Sequence, residues 1–356
     1  MPLVQRATGP GRVNLIGDHT DYNQGLALPM AIDLGVTVAF SAGAAPSVAV
    51  SSTAFPDGLE LPSRIEPDAA VIAALEPSWA RLVAAMIALS PPSTGGALAI
   101  TATLPMAAGL SSSAALSVAL AEVLGDPGPP EAVARLCQRA EHLIGAPIGA
   151  MDPLVCAGAV AGHALLIDFS SLDSRPVAIP PGSEIVVVDS GQRRTVRSSA
   201  YATRVSECAS AAEVIGPLGL AHPADLAELH DPVLRRRGRH VVSECARVQE
   251  MCGALEACDL VAAGRLMTES HRSLAAEFEV STTVLDDLVD RLQSIPGVLG
   301  ARMTGAGFGG CVVALCRPGA IELSTLSTPA WAVQAADGTV ARRSRRARDG
   351  AGTPSP

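Results

Sequence analysis

Gly109-Leu-Ser-Ser-Ser113 stands directly before an apolar, alanine-rich run, Ala114 to Leu124, that suits a helix. A helix N-terminus presents unpaired backbone N–H groups and the positive end of a dipole, which together bind phosphate. Three hydroxyls beside those amides add ligands for phosphate oxygens or for a metal ion. The chain contains no lysine, and its 26 basic residues are all arginine. A phosphate loop of the G-x-x-x-x-G-K-[ST] kind is therefore excluded. Phosphate has to be held by backbone, hydroxyls, arginine and a metal.

A second polar concentration is Asp18-His19-Thr20-Asp21, just after the apolar run that contains Arg12 and Asn14, with Tyr22 and Asn23 following. Taken alone such a loop is as readily an ordinary turn. The crowding of hydrogen-bonding groups in an apolar neighbourhood favours a polyol site, because carboxylates accept sugar hydroxyls in fixed directions. Glu141 falls in a helical pattern, where most glutamates are solvated. Asp152 follows the loop Gly145–Ala150 and precedes Pro153 and an apolar stretch. Its residue type and place fit a helix N-cap, the common outcome in general, or a functional carboxylate, and the sequence does not separate the two. Gly305-Ala-Gly-Phe-Gly-Gly310 matches G-x-G-x-x-G, but the strand-like Cys311–Cys316 follows where a dinucleotide fold needs a helix. Two readings stay open for it: a tight strand-to-strand turn, or a glycine loop that closes over nucleotide phosphates.

These groups need a scaffold, and periodicity supplies one. Strands are expected over 3–16, 26–41, 47–55, 97–104, 162–169 and 184–189. A strand, glycine turn and strand are expected over 298–315. Helices are expected over 68–89, 114–124 and 131–144, and a mostly helical region over 198–292 with a break near 217–223. At 356 residues the length suits two domains. The shift from strand-rich to helix-rich pattern divides them at 1–180 and 181–340, leaving an Arg-rich tail over 341–356 as an expected disordered segment. The net charge of −9 argues against nonspecific nucleic-acid binding. None of the eight cysteines has zinc-like spacing, so buried reduced thiols are expected. The sequence shows neither a signal-peptide pattern nor an apolar run of membrane-spanning length. The expectation is a cytoplasmic monomer that binds a small molecule, with no nucleic-acid or membrane partner.

Three stretches, GRVNLIGDHTDYNQGLALPMAI, LPMAAGLSSSAAL and ARMTGAGFGGCVVAL, resemble in this order the three motifs of the galactokinases, within the GHMP small-molecule kinases. QRAEHLIGAPIGAMD, LRRRGRHVVSECARV and ESHRSLAAEFEVS are similar to further galactokinase segments. The resemblance covers nearly the whole chain. It implies an α+β, two-domain GHMP kinase fold, with a ribosomal-protein-S5-like N-terminal domain and a ferredoxin-like C-terminal domain. It implies ATP and Mg²⁺, and phosphorylation of α-D-galactose at its anomeric hydroxyl, a Leloir-pathway reaction. By motif match, Asp152 is the base and Arg12 lies beside it. Asp18, His19, Thr20, Asp21, Gly149 and Tyr201 contact the sugar. Ala107, Ala108, Gly109, Leu110, Ser111, Ser112 and Ser113 wrap the ATP phosphates, with Ser52 near the nucleotide. Ser113 and Glu141 hold the metal.

The chain departs from the family pattern at three positions: Asp18 stands for Glu, Pro153 for Gln and Ala107 for Gly. Asp18 and Pro153 motivate an alternative sugar 1-kinase acting on N-acetylgalactosamine, arabinose or fucose. A non-catalytic galactose sensor is a further alternative, weakened by the intact serine loop and Asp152.

Overall fold

The computed structural model describes residues 4–105, 108–125, 128–146, 149–193 and 197–350. Strand β1 (Val4–Asn14) leads through the polar loop to β2 (Leu26–Ala27) and β3 (Pro29–Ala42). The hairpin of β4 (Ser47–Ser52) and β5 (Phe55–Pro62) follows, then α1 (Ala69–Ala73), α2 (Arg81–Leu89) and β6 (Gly96–Ala102). Next come α3 (Ser112–Leu124), α4 (Pro130–Leu143) and α5 (Met151–Gly158), then β7 (His163–Asp168), β8 (Ser174–Ala178) and β9 (Glu184–Asp189). Four helices succeed: α6 (Arg197–Ile215), α7 (Pro232–Glu256), α8 (Leu260–Ala276) and α9 (Thr283–Gln293). The chain ends through β10 (Val298–Thr304), β11 (Cys311–Cys316), β12 (Ala330–Val333) and α10 (Thr339–Gly350).

The strands form three sheets, ordered β1-β3-β6-β4-β5, β2-β7-β8 and β10-β11-β9-β12. The first two use residues up to Ala178 and the third starts at Glu184. Strand β1 is an edge strand, which is why Pro10, lacking an N–H, is tolerated within it. Its register with β3 shifts between Pro10 and Arg12. Such an irregularity twists the strand and re-aims the side chain beyond it, here that of Arg12.

The third sheet is buried on both faces. Ile185 and Val187 of β9, with Cys311, Val313 and Leu315 of β11, belong to the apolar cluster built on the first sheet. The alternate residues Val186, Val188, Val312, Ala314 and Cys316 belong to a second cluster with Leu274, Leu285 and Leu288 of α8 and α9. A sheet covered on both sides explains why these strands read as unbroken apolar runs. All eight cysteines are unpaired, and only Cys258 is exposed. Burial pushes the Cys137 and Cys208 thiols up to about 12.

Two expectations are corrected. The helical pattern of 68–89 is interrupted: α1 ends at Ala73, and Pro77 precedes a short 3-10 turn at Ser78–Ala80 before α2. The Arg-rich segment expected to be disordered is helical as far as Gly350. Val340 packs on the first cluster, Arg342 Nε donates to the Asp337 carbonyl at 2.8 Å, and Arg343 Nη2 donates to the Gly128 carbonyl at 2.7 Å. Residues 351–356 lie outside the described residues.

Helix α3 lies directly on β1, and Gly9 makes this possible: a Cβ there would run into the Ala115 carbonyl. We expect Gly9→Ala to destabilise the protein by about 1–3 kcal/mol through overpacking. Urea unfolding measures this, and an unchanged midpoint with an unchanged slope would contradict the close approach.

Candidate active site

The serine loop and the polar loop meet at Arg12. Its Nε and Nη2 donate to the two carboxylate oxygens of Asp152, each at 2.7 Å, and its Nη1 donates to the Gly109 carbonyl at 2.9 Å. Its backbone N–H donates to the Leu110 carbonyl at 3.1 Å. One residue of β1 therefore holds both the carboxylate and the loop. Burial works against the Arg12 charge, but the Asp152 carboxylate outweighs it and keeps the guanidinium pKa raised. Asp152 is the second residue of α5, and Ala150 occupies the N-cap position. That decides against the capping alternative: the carboxylate is spent on Arg12 and on the Ser111 hydroxyl, which also donates to it. Pro153 lies in the first turn of the helix, where its missing N–H costs no intrahelical bond.

Ser111 stands at the N-cap of α3 in a left-handed conformation, and its side chain makes no cap hydrogen bond. With the hydroxyl turned to Asp152, the first amides of α3 keep their donors for an incoming anion. Ala108 and Leu110 bury their side chains, so these loop positions offer backbone. Ser112 and Ser113 open the helix. The Ser113 hydroxyl donates to Glu141 of α4. Glu141 is only 2% exposed, unlike the solvated glutamate that its helical pattern suggests. A hydroxyl and a carboxylate side by side are hard oxygen donors of the kind Mg²⁺ takes. Among the described residues no group of three or more His, Cys, Asp or Glu gathers as a metal cage. The pair therefore fits an ion that phosphates and water complete.

The polar loop is fastened from the other half of the chain. Asp18 is fully buried and accepts from Arg302 Nη2 of β10 at 2.7 Å, from Asn14 Nδ2 at 3.0 Å and from the Gly305 N–H at 3.2 Å. Burial pushes its carboxyl up, while Arg302 and Asn14 pull it down. The Gly17 N–H donates to Glu244 of α7 at 3.0 Å, and Ser270 of α8 also donates to that carboxylate. Burial would raise the Glu244 pKa, but Arg247, His240 and Arg302 bring it down to about 2. The Asp18 carbonyl lies 3.3 Å from His240 Nε2. A carbonyl only accepts, so that nitrogen carries the proton, and Nδ1 accepts from Ser273 at 2.8 Å.

His19 sits against Phe278, with ring centroids 4.6 Å apart, and near Tyr22 and Tyr201 at 6.0 and 5.9 Å. Its Nδ1 is 3.0 Å from the Tyr22 hydroxyl. Burial lowers its pKa to about 3. Asp21 stands beside Gly149, where any Cβ would strike its carboxylate. Burial and the nearby Asp152 raise the Asp21 pKa to about 6.

Two expected contacts are not brought to this cluster among the described residues. Thr20 is fully buried and its hydroxyl donates to the Gly17 and Leu26 carbonyls at 2.9 and 2.7 Å, so it organises the loop from within. Ser52 ends β4, where its hydroxyl accepts the Ala54 N–H at 3.2 Å. Ala107 lies outside the described residues. Arg302, Glu244 and His240 were not foreseen. Arg302 did leave a signal, a charge between Ala301 and Met303 in an otherwise apolar strand, whereas Glu244 and Arg247 look like an exposed helical pair. The glycine turn Gly305–Gly310 connects two strands, which rules out the dinucleotide reading. It touches the polar loop through Gly305, and beyond it the Cys311 thiol donates to the Ala108 carbonyl at 3.1 Å.

Comparison with known proteins finds relatives over most of the chain. The galactokinase galactose-binding signature matches residues 5–42, the GHMP kinase N-terminal domain residues 78–159 and the GHMP kinase C-terminal domain residues 252–323. The chain is 40% identical to galactokinase of Homo sapiens over 330 residues, covering 88% of this chain and 84% of that one. Among solved structures, Lactococcus lactis galactokinase complexed with galactose superposes with a TM-score of 0.84, at 28% identity over 94% of both chains. Methanococcus jannaschii mevalonate kinase shares the fold, with a TM-score of 0.66 at 19% identity over 95% of this chain and 99% of that one.

His19 and His240 have folded pKa values near 3 and 4, below the ordinary 6.5. The stability their neutral forms contribute is complete above pH 6.5 and is lost as the pH falls toward those values, at up to about 1.4 kcal/mol per pH unit for each group. The raised Asp21 pKa acts in the opposite direction, so the test compares variant with parent. We expect His240→Gln to flatten the fall in unfolding free energy between pH 6.5 and 4. A slope equal to the parent's would show that His240 titrates normally.

Proposed function

The chain belongs to the galactokinase family of GHMP kinases, and from that premise we propose that it transfers the γ-phosphoryl group of ATP to the anomeric hydroxyl of α-D-galactose, giving galactose 1-phosphate and ADP. The observation that carries this reading is the Arg12–Asp152 pair, which joins the serine loop to the polar loop at one point. Asp152 accepts the proton of the sugar C1 hydroxyl. Arg12 keeps that carboxylate ionised and offsets negative charge as it develops on the phosphoryl oxygens. Ser111 and Arg12 together fix the carboxylate's orientation, so the base is aligned before the sugar arrives.

The N–H groups at the start of α3 and the hydroxyls of Ser112 and Ser113 receive the ATP phosphates. Ser113 and Glu141 would hold Mg²⁺. When bound, that ion bridges phosphate oxygens and neutralises their charge. Asp21, beside Gly149, accepts sugar hydroxyls as a carboxylate, and His19 and Tyr201 line the same side. The third motif, reaching Ala108 through Cys311, supports the loop from behind.

ADP release with Mg·ATP tests the reading against galactose, N-acetylgalactosamine, arabinose, fucose, glucose and no sugar. Galactose should give the highest kcat/KM. A higher value for a sugar altered at C6 would trace to the placement of the polar loop, which the short Asp18 side chain holds to Arg302. No turnover with any sugar would point to a sensor. Asp152→Asn should lower kcat about 100- to 10,000-fold with little change in ATP affinity, and parental turnover would remove Asp152 as the base. Glu141→Ala should shift the Mg²⁺ titration to higher concentration, and an unshifted curve would remove Glu141 from the metal.

A further inference from the structure

Helix α8 ends at Ala276, and two arginines from other helices grip the turn that follows, Glu277-Phe278-Glu279. Arg237 of α7 donates through Nη1 to the Glu277 carbonyl at 2.5 Å and through Nη2 to the Glu279 carboxylate at 2.6 Å. Arg204 of α6 donates through Nε to the Phe278 carbonyl at 2.7 Å and through Nη2 to the Glu279 carbonyl at 3.2 Å. Three consecutive carbonyls thus end on two guanidinium groups. Glu207 of α6 accepts from both arginines, from Arg204 at 3.0 Å and from Arg237 at 2.7 Å. The turn needs such a grip. Glu279 has a left-handed backbone, φ 55°, which a residue with a side chain keeps only where its surroundings enforce it.

What the grip holds in place is Phe278. Its ring is fully buried, and its centroid lies 4.6 Å from the rings of both His19 and His240. Tyr201, which faces His19 as well, stands three residues before Arg204, on the same side of α6. We propose that Arg204 is a positioning residue of the sugar site: by holding the Phe278 and Glu279 carbonyls it fixes the Phe278 ring, and that ring fixes the His19 imidazole in the orientation the sugar meets. This deepens the galactokinase reading and rests on it for the sugar, whereas the hold on the ring does not. The planar fork of an arginine reaches two carbonyls at once. A lysine at 204 would keep the charge near His19 and Glu207 but has no fork, so it separates geometry from charge. Val280, whose carbonyl receives the Phe308 N–H at 2.8 Å, is tied to α8 by its own N–H, bonded to the Leu274 carbonyl at 3.1 Å. The glycine turn therefore keeps its support when Arg204 is changed, and the effect falls on the sugar rather than on ATP.

The chain has two tyrosines, Tyr22 and Tyr201, and both lie beside His19. Carbon-13 labelling of tyrosine therefore gives NMR signals from this site alone, and a galactose titration followed on them yields a Kd without turnover. Arg204→Lys should raise the galactose Kd and KM about tenfold, while kcat and the ATP KM stay within about twofold of the parent. Arg239→Gln removes a contact to the Glu277 carboxylate, at 3.0 Å, rather than to the backbone of the turn, and should leave the galactose Kd unchanged. Phe278→Leu should itself raise that Kd. In its background Arg204→Lys should add less than about threefold, because the route through the ring is already gone. An unchanged Kd in Arg204→Lys or in Phe278→Leu overturns the proposal, and so does a full tenfold effect of Arg204→Lys in the Phe278→Leu background. A rise in the ATP KM equal to that for galactose also overturns it, since general loosening would act on both substrates. The expected Kd pattern in a chain that turns over no sugar upholds the positioning role and overturns the kinase reading instead.

Discussion

The ion pair between Asp18 and Arg302 sets the relation between the two halves of the chain. Both groups are buried, and each would be costly without the other, since an unpaired buried charge costs several kcal/mol. The pair holds only if β10 lies against the polar loop. That in turn brings Gly305 within reach of Asp18 and the Cys311 thiol onto the serine loop. Glu244 repeats the device one residue earlier, at the backbone of Gly17. The polar loop is thus held by its own strand on one side and by three elements of the second half on the other. The side chains free to face a sugar are those that this network does not consume.

Around that anchor the charges divide by role. Asp18 and Glu244 are saturated with donors and act as struts. Asp152 is also bonded, but it retains 24% side-chain exposure and so stays reachable. Desolvation and the neighbouring Asp152 push Asp21 up to about 6, whereas the Arg302 guanidinium pulls against the burial of Asp18. Four carboxylates within one small region are compatible only because Arg12, Arg302 and Arg247 are interleaved with them.

Much of this was legible in the sequence where the cause is local. The unbroken apolar runs of β9 and β11, the helical stripe of α4 and the glycine turn after β10 are local properties. The serine loop announces itself by residue type. The sheet order, in which β6 separates β3 from β4, depends on pairing between distant segments and leaves no local mark. The burial of Glu141 was not legible, since nothing in its helix distinguishes a buried glutamate from a solvated one, and the role proposed for it came through resemblance. Thr20 illustrates the converse: a hydroxyl between two site residues looks available until the loop's own carbonyls claim it. Helix α10 was missed because its composition is nearly all polar, and its order comes from Val340 and a few arginine contacts to carbonyls of other segments.

The two-faced sheet β10-β11-β9-β12 has a consequence for how the molecule comes apart. Alternate residues of one strand, such as Val187 and Val188, serve different apolar clusters. Melting either cluster strips one face from a sheet that the other still needs. The halves are therefore coupled as a single cooperative unit, and separating the chain at the 178–184 junction divides a wall common to both, leaving each fragment with apolar surface that it has no means to cover.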